Sequence, residues 1–209
     1  MARYNISLLL FSLTILLIAG GVTSCRRCSR TRAFIMSACI TTRYPKVCAQ
    51  TLLGTVNNTN LSHEELAQRA LKVSLVRARF ARAYLAKFAI RLKRSHHASE
   101  FKAMGNCIEK IDDSISQLRQ SLFELQKFST DGGVDDFMWH MSNVVTWTST
   151  ALTDQTECAE AFSGSGRGKS IKAVINVKVN DVSQVTSIAL ALVNRFVIRH
   201  RFNRGTHMP

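Results

Sequence analysis

Proline is nearly missing from this chain: of 209 residues only Pro45 and Pro209 are proline. Proline breaks helices by removing a backbone N–H and clashing with the preceding turn, so its rarity leaves long stretches open to helix. Glycine is also sparse, and several of the 10 glycines fall in turn-like places, Gly132-Gly133 and the segment GSGRGK from Gly164 to Lys169. Acidic residues are few, 14 Asp and Glu against 28 Lys and Arg, for a formal net charge of +14. Such a surplus draws a protein toward polyanions such as acidic polysaccharide, membrane surface or nucleic acid, without naming an activity.

Signatures of catalysis are missing too. The histidines, His63, His96, His97, His140, His200 and His207, form neither H-E-x-x-H nor a Cys/His pattern with zinc spacing. GSGRGK lacks the G-x-x-x-x-G-K-[ST] order of a phosphate loop, and no serine stands in G-x-S-x-G. Asp112-Asp113 and Asp135-Asp136 are adjacent acids in helical stretches, where such pairs face solvent. No metal, cofactor or catalytic residue is therefore assigned.

What is present begins with MARYN and the apolar run ISLLLFSLTILLIAG, followed by small residues, the layout of a signal peptide over residues 1–24. The run is shorter than the roughly 20 residues a spanning helix needs. Arg26, Arg27, Arg30 and Arg32 follow, and a retained membrane anchor is the alternative such a cluster allows. Secretion is the expectation, with no stable membrane insertion after cleavage. The sequons at Asn57 and Asn60 in the polar NNTNLS stretch fit glycosylation of an exposed loop.

Beyond a basic segment at 25–35, helical periodicity dominates. Ser62-His63-Glu64-Glu65 is a capping box, and Leu66, Ala70, Val73, Phe80, Tyr84 and Phe88 recur at helical spacing up to about Arg94. A second stripe runs through Met104, Ile108, Ile111, Ile115, Leu118, Leu122 and Leu125. After the turn-like Asp131-Gly132-Gly133 a third follows Phe137, Met141, Val144, Thr148, Ala151, Gln155, Cys158 and Phe162. A fourth uses Val182, Val185, Ala189, Leu192 and Phe196, with Val174, Ile175, Val177 and Val179 also readable as a strand. Four amphipathic segments with short connections predict an all-α, up-and-down four-helix bundle over about 62–198, with a basic tail at 199–209. The cations between Leu71 and Arg94 spread over several faces, which suits a solvated helix or a polyanion-binding surface.

In a secreted chain the 6 cysteines are disulfide candidates, and their even count leaves the connectivity open. Cys39 and Cys48 lie in CITTRYPKVC. In one straight helix that spacing turns the chain by about 900° and separates the sulfurs by roughly 13 Å along the axis, so bonding them requires a reversal, for which Pro45 offers the place. Cys107 and Cys158 lie at ends of the second and third stripes that antiparallel packing would bring together. Cys25 and Cys28, in CRRCSR, have no βαβ context and read as part of a basic appendage.

Four segments in order resemble the plant invertase and pectin methylesterase inhibitors: CITTRYPKVC, GNCIEKIDDSISQLRQSLFEL from Gly105 to Leu125, WTSTALTDQTECAEAF from Trp147 to Phe162, and VSQVTSIALALVN from Val182 to Asn194. The resemblance implies a helical hairpin at about 36–60 preceding the bundle, within an inhibitor domain at 36–198. It implies disulfides Cys39 to Cys48 and Cys107 to Cys158, and a non-catalytic protein that inhibits a cell-wall or vacuolar carbohydrate-active enzyme in a stoichiometric complex. DDSISQLRQSL and VTSIALALVN are more similar to the pectin methylesterase branch, and no Pro-Lys-Phe stands in the last connection.

In that branch the second and third bundle helices cover the enzyme's pectin-binding cleft, which implies contacts at Glu109, Asp113, Thr153, Asp154, Glu157 and Glu160. Glu157 stands where the family often has threonine, which bears on the local contact. Invertase is the alternative partner. A basic protein that binds acidic pectin or a membrane surface, without an enzyme target, is the reading from another class. The chain's end soon after the fourth stripe favours an independent inhibitor over the pro-region of a longer pectin methylesterase.

Overall fold

The computed structural model describes residues 30–55, 61–95, 98–127, 133–162 and 169–205. These hold helix α1 (30–39), α2 (Pro45–Leu53), α3 (His63–Arg94), α4 (Ala98–Lys127), α5 (Val134–Glu160) and α6 (Lys169–Gly205). The leader, Cys25, Cys28, both sequons and nearly all of GSGRGK lie outside them.

Local chemistry sets the ends. Pro45 occupies the first turn of α2, where its missing N–H costs nothing because that N–H would have no helical partner. The reversal it allows brings the Cα atoms of Cys39 and Cys48 to 5.6 Å, and the two are disulfide-bonded. At α3 the capping box forms in full: Glu65 N donates to Ser62 Oγ and Ser62 N donates to Glu65 Oε2, each at 3.0 Å.

Helices α3 to α6 form a four-membered ring of neighbours in which α3 packs on α4, α4 on α5, α5 on α6 and α6 on α3, the up-and-down bundle expected. The hairpin covers one end. Ile35, Ala38, Leu52 and the Cys39–Cys48 bridge pack with Leu66, Leu71, Leu125, Phe137 and Phe196. A second apolar cluster at the opposite end contains Leu85, Leu92, Met104, Phe162, Ile175 and the Cys107–Cys158 bridge. Burying such side chains drives the fold at about 25 cal/mol per Å² of apolar surface.

Three expectations are revised. Helix α1 starts at residue 30, so the hairpin begins before 36, and α6 runs to Gly205, past the boundary expected at 198. The helical reading of Val174 to Val179 holds over the strand alternative: Ile175 and Val179 are buried while Val177 is exposed, the split one helical face imposes on a β-branched run. In α3 the buried stripe follows Leu71, Ser74, Leu75, Ala78, Ala81, Leu85 and Ala89. Small Ala78 and Ala81 take the seam, and Phe80, 71% exposed, and Tyr84 turn outward.

The third revision is the register of α4. Its innermost line is Met104, Cys107, Ile111, Ser114, Leu118, Ser121 and Leu125, with Ile108, Ile115 and Leu122 half-buried beside it. The serines tolerate burial because α5 supplies partners. Gln155 Nε2 donates to Ser114 Oγ at 2.7 Å, and Thr148 Oγ1 lies 3.1 Å from Ser121 Oγ and donates to Val144 O at 2.7 Å. The α5 stripe from Phe137 to Phe162 is buried as its periodicity predicts. The apolar part of α6 is long enough to cross a membrane, yet Val182, Val185, Ala189, Leu192 and Phe196 are buried within the bundle.

Candidate functional site on the α4–α5 face

The disulfide between Cys107 and Cys158 sets the register of antiparallel α4 and α5. With these two residues opposite each other, one turn further along α4 must face one turn back along α5, so residue 110 meets residues 154 to 157. Lys110 Nζ lies 2.7 Å from Glu157 Oε2 and 3.7 Å from Asp154 Oδ1. Asp113 stands near enough to act on the same ammonium electrostatically. Three of the expected contact residues, Asp113, Asp154 and Glu157, thus gather around one lysine that the sequence reading passed over.

The acids differ in character. Asp154 is buried, and loss of water pushes its carboxyl above the ordinary aspartate value, an effect that Asp113 and Glu157 reinforce and Lys110 opposes. The hydrogen bond and charge of Glu157 hold the Lys110 ammonium above its usual range. Glu109, Asp113 and Glu160 are exposed, and among the described residues Glu109 and Glu160 make no ion pair. The face therefore offers water-accessible carboxylates around the Lys110–Glu157 ion pair.

Thr153 belongs to a longer exposed stripe on α5, Thr146, Thr150, Thr153, Glu157 and Glu160, with steps of four, three, four and three residues that keep one helical face outward. Thr150 Oγ1 donates to Thr146 O at 3.0 Å and Thr153 Oγ1 to Ser149 O at 3.2 Å. The hydroxyls of Thr150 and Thr153 are thus satisfied within their own helix. Thr146 and Thr150 extend the exposed face on which Thr153 lies. The other acid of the α4 pair, Asp112, turns the opposite way and takes a forked ion pair from Arg82 of α3 at 3.0 and 3.2 Å.

Further along the seam Glu124, though buried, accepts from His140 Nδ1 at 2.7 Å, and His140 Nε2 lies 3.5 Å from Asp136. Among the described residues no group of three or more His, Cys, Asp or Glu side chains is placed to hold a metal ion. What α4 and α5 present on this side is a bridged pair of helices carrying exposed threonines, carboxylates and Lys110.

A helical hairpin capping a four-helix bundle, with a bridge in each, defines a small disulfide-linked helical-bundle protein. Residues 33–192 match the plant invertase/pectin methylesterase inhibitor family, and the chain belongs to it. Over 171 residues it is 42% identical to pectinesterase inhibitor 9 of Arabidopsis thaliana, covering 80% of this chain and 82% of that one. It is 38% identical to a 21 kDa protein of Daucus carota over 168 residues, 80% and 86% of the two chains. Among solved structures, a mutant form of a pectin methylesterase inhibitor from Arabidopsis superposes with a TM-score of 0.59 at 18% identity, over 76% of this chain and 95% of that one, a likeness of fold.

Proposed function

We propose that this protein is a secreted inhibitor of pectin methylesterase that binds the enzyme through the α4–α5 face and performs no bond chemistry itself. The 42% identity with a pectinesterase inhibitor along four-fifths of both chains carries the reading. The geometry supports it, because the expected contacts Glu109, Asp113, Thr153, Asp154, Glu157 and Glu160 share two adjoining helices bridged at that end by Cys107–Cys158. A surface locked by a covalent cross-link loses little freedom on binding, which favours a tight, stoichiometric complex. The leader reading of residues 1–24 places the protein outside the cell, and the sequons at Asn57 and Asn60 are proposed glycosylation sites.

The test is titration of the oxidised, purified protein against several plant pectin methylesterases at mildly acidic pH, with acid invertase alongside. Loss of esterase activity with an end-point of one inhibitor per enzyme, invertase being unaffected, is expected. Full esterase activity at molar excess across isoforms would overturn the reading, and inhibition of invertase alone would redirect it to the other branch.

A further inference from the structure

Around the corner of α4 from this face lies a second surface. Between α3 and α4 runs an open groove of about 520 Å³ floored by Leu75 and Leu122 and walled by Arg79, Arg119, Ser116, Gln120, Gln126 and Phe123. The volume falls in the range of about 300–1,000 Å³ typical of small-ligand sites. Two α3 arginines outside the groove pair with acids across its seams, Arg77 with Asp181 at 2.7 Å and Arg82 with Asp112. In the groove the arrangement differs. Arg79 and Arg119 both line it, no acid lines it, and among the described residues neither guanidinium has a carboxylate partner.

Two like charges in one groove repel, and a bound anion removes that repulsion. Guanidinium forks match carboxylates in paired, coplanar hydrogen bonds. Phe123, 65% exposed on the wall, offers a flat apolar surface of the kind that the C–H face of a pyranose ring covers. Gln120, Gln126 and Ser116 can donate to and accept from ring hydroxyls. Lys72, two helical turns before Arg79 on the same exposed stripe of α3, extends the positive track along the seam.

We infer that the α3–α4 groove binds a stretch of carboxylate-bearing polysaccharide, a polyuronate, with Arg79 and Arg119 on successive carboxylates and Phe123 under a sugar ring. The groove and the acid–Lys110 cluster lie on different seams, so one molecule can hold a uronate chain while its α4–α5 face stays free. Under the proposed function, such binding would retain the inhibitor where de-esterified pectin accumulates.

The test needs no enzyme. The folded, oxidised protein is titrated calorimetrically with a de-esterified oligogalacturonide and with the same oligomer fully methyl-esterified. Binding to the acid form only is expected, with loss of about tenfold or more in affinity for the Arg79→Gln/Arg119→Gln double variant and weaker binding for Phe123→Ala. These exposed substitutions should leave the melting curve unchanged, and amide shift changes on titration should centre on Ser116, Gln120 and Gln126.

Undiminished binding by the double variant would assign the affinity to diffuse charge and overturn the inference. So would equal binding of the methyl ester, or equally tight, equally arginine-dependent binding of a sulfated glycan or single-stranded DNA. Esterase inhibition by the double variant, measured separately, should match the unsubstituted protein. A failure of inhibition in every form with uronate binding intact would sink the proposed function and leave this inference standing.

Discussion

Buried polar side chains are where single residues matter most in this bundle. Ser114 is fully buried and accepts from Gln155 Nε2, so Ser114→Ala leaves that amide without its acceptor. A loss of roughly 1–3 kcal/mol in denaturant unfolding is expected, and pairing it with Gln155→Leu should recover part of that loss, because removing both partners costs less than orphaning one. Asp154 makes a prediction in pH. Its carboxyl titrates higher in the fold than in the unfolded chain, so its favourable contribution is complete below the ordinary aspartate range and fades as pH rises through the raised value. Asp154→Asn should therefore flatten the stability profile across that interval. Lys110→Met, which removes the one cation opposing the shift, should drive the Asp154 titration higher still, as carboxyl NMR shifts would report. Under the proposed function, Glu160, exposed and outside any ion pair among the described residues, lets docking be probed apart from folding. Glu160→Lys should weaken enzyme inhibition by about tenfold with an unchanged melt.

Among the elements, α5 was readable almost residue by residue, since its stripe from Phe137 to Cys158 is apolar or closely polar at each inward position. Helix α4 was readable as a helix but rotated, because a hydrophobicity criterion selects Ile108, Ile115 and Leu122 over the serines that face α5. Ser114 and Ser121 become core residues through partners on another helix, and no local pattern encodes such a partner. In α3, alanines at the seam carry a weak signal and exposed aromatics a strong one, so Phe80 and Tyr84 were misplaced inward; Tyr84 instead lies beneath Lys178 of α6, 5.0 Å from its ring. The acids of the α4–α5 face came from resemblance, whereas Lys110 followed from the disulfide register and could have been found by counting from Cys107 and Cys158. Replacing both of these cysteines with alanine releases a loop of sequence separation 51 and should cost about 4 kcal/mol on a chain-entropy argument, seen as a lower denaturation midpoint.

For the whole molecule, the two bridges sit at opposite ends of the bundle, one with the hairpin cluster and the other beside the acid–Lys110 face. Under the proposed function, stability and docking are therefore partly separable. Loss of the hairpin bridge should lower the melting temperature yet leave the inhibition end-point near one to one, whereas loss of Cys107–Cys158 should degrade both. The same bridge governs how the protein meets a protease. Because it ties α4 to α5, a single backbone cut anywhere between Cys107 and Cys158 yields two fragments that stay one covalent particle. Nicked protein would then migrate intact on a non-reducing gel and split only after thiol treatment, and could persist in a protease-rich medium well after its chain had ceased to be continuous.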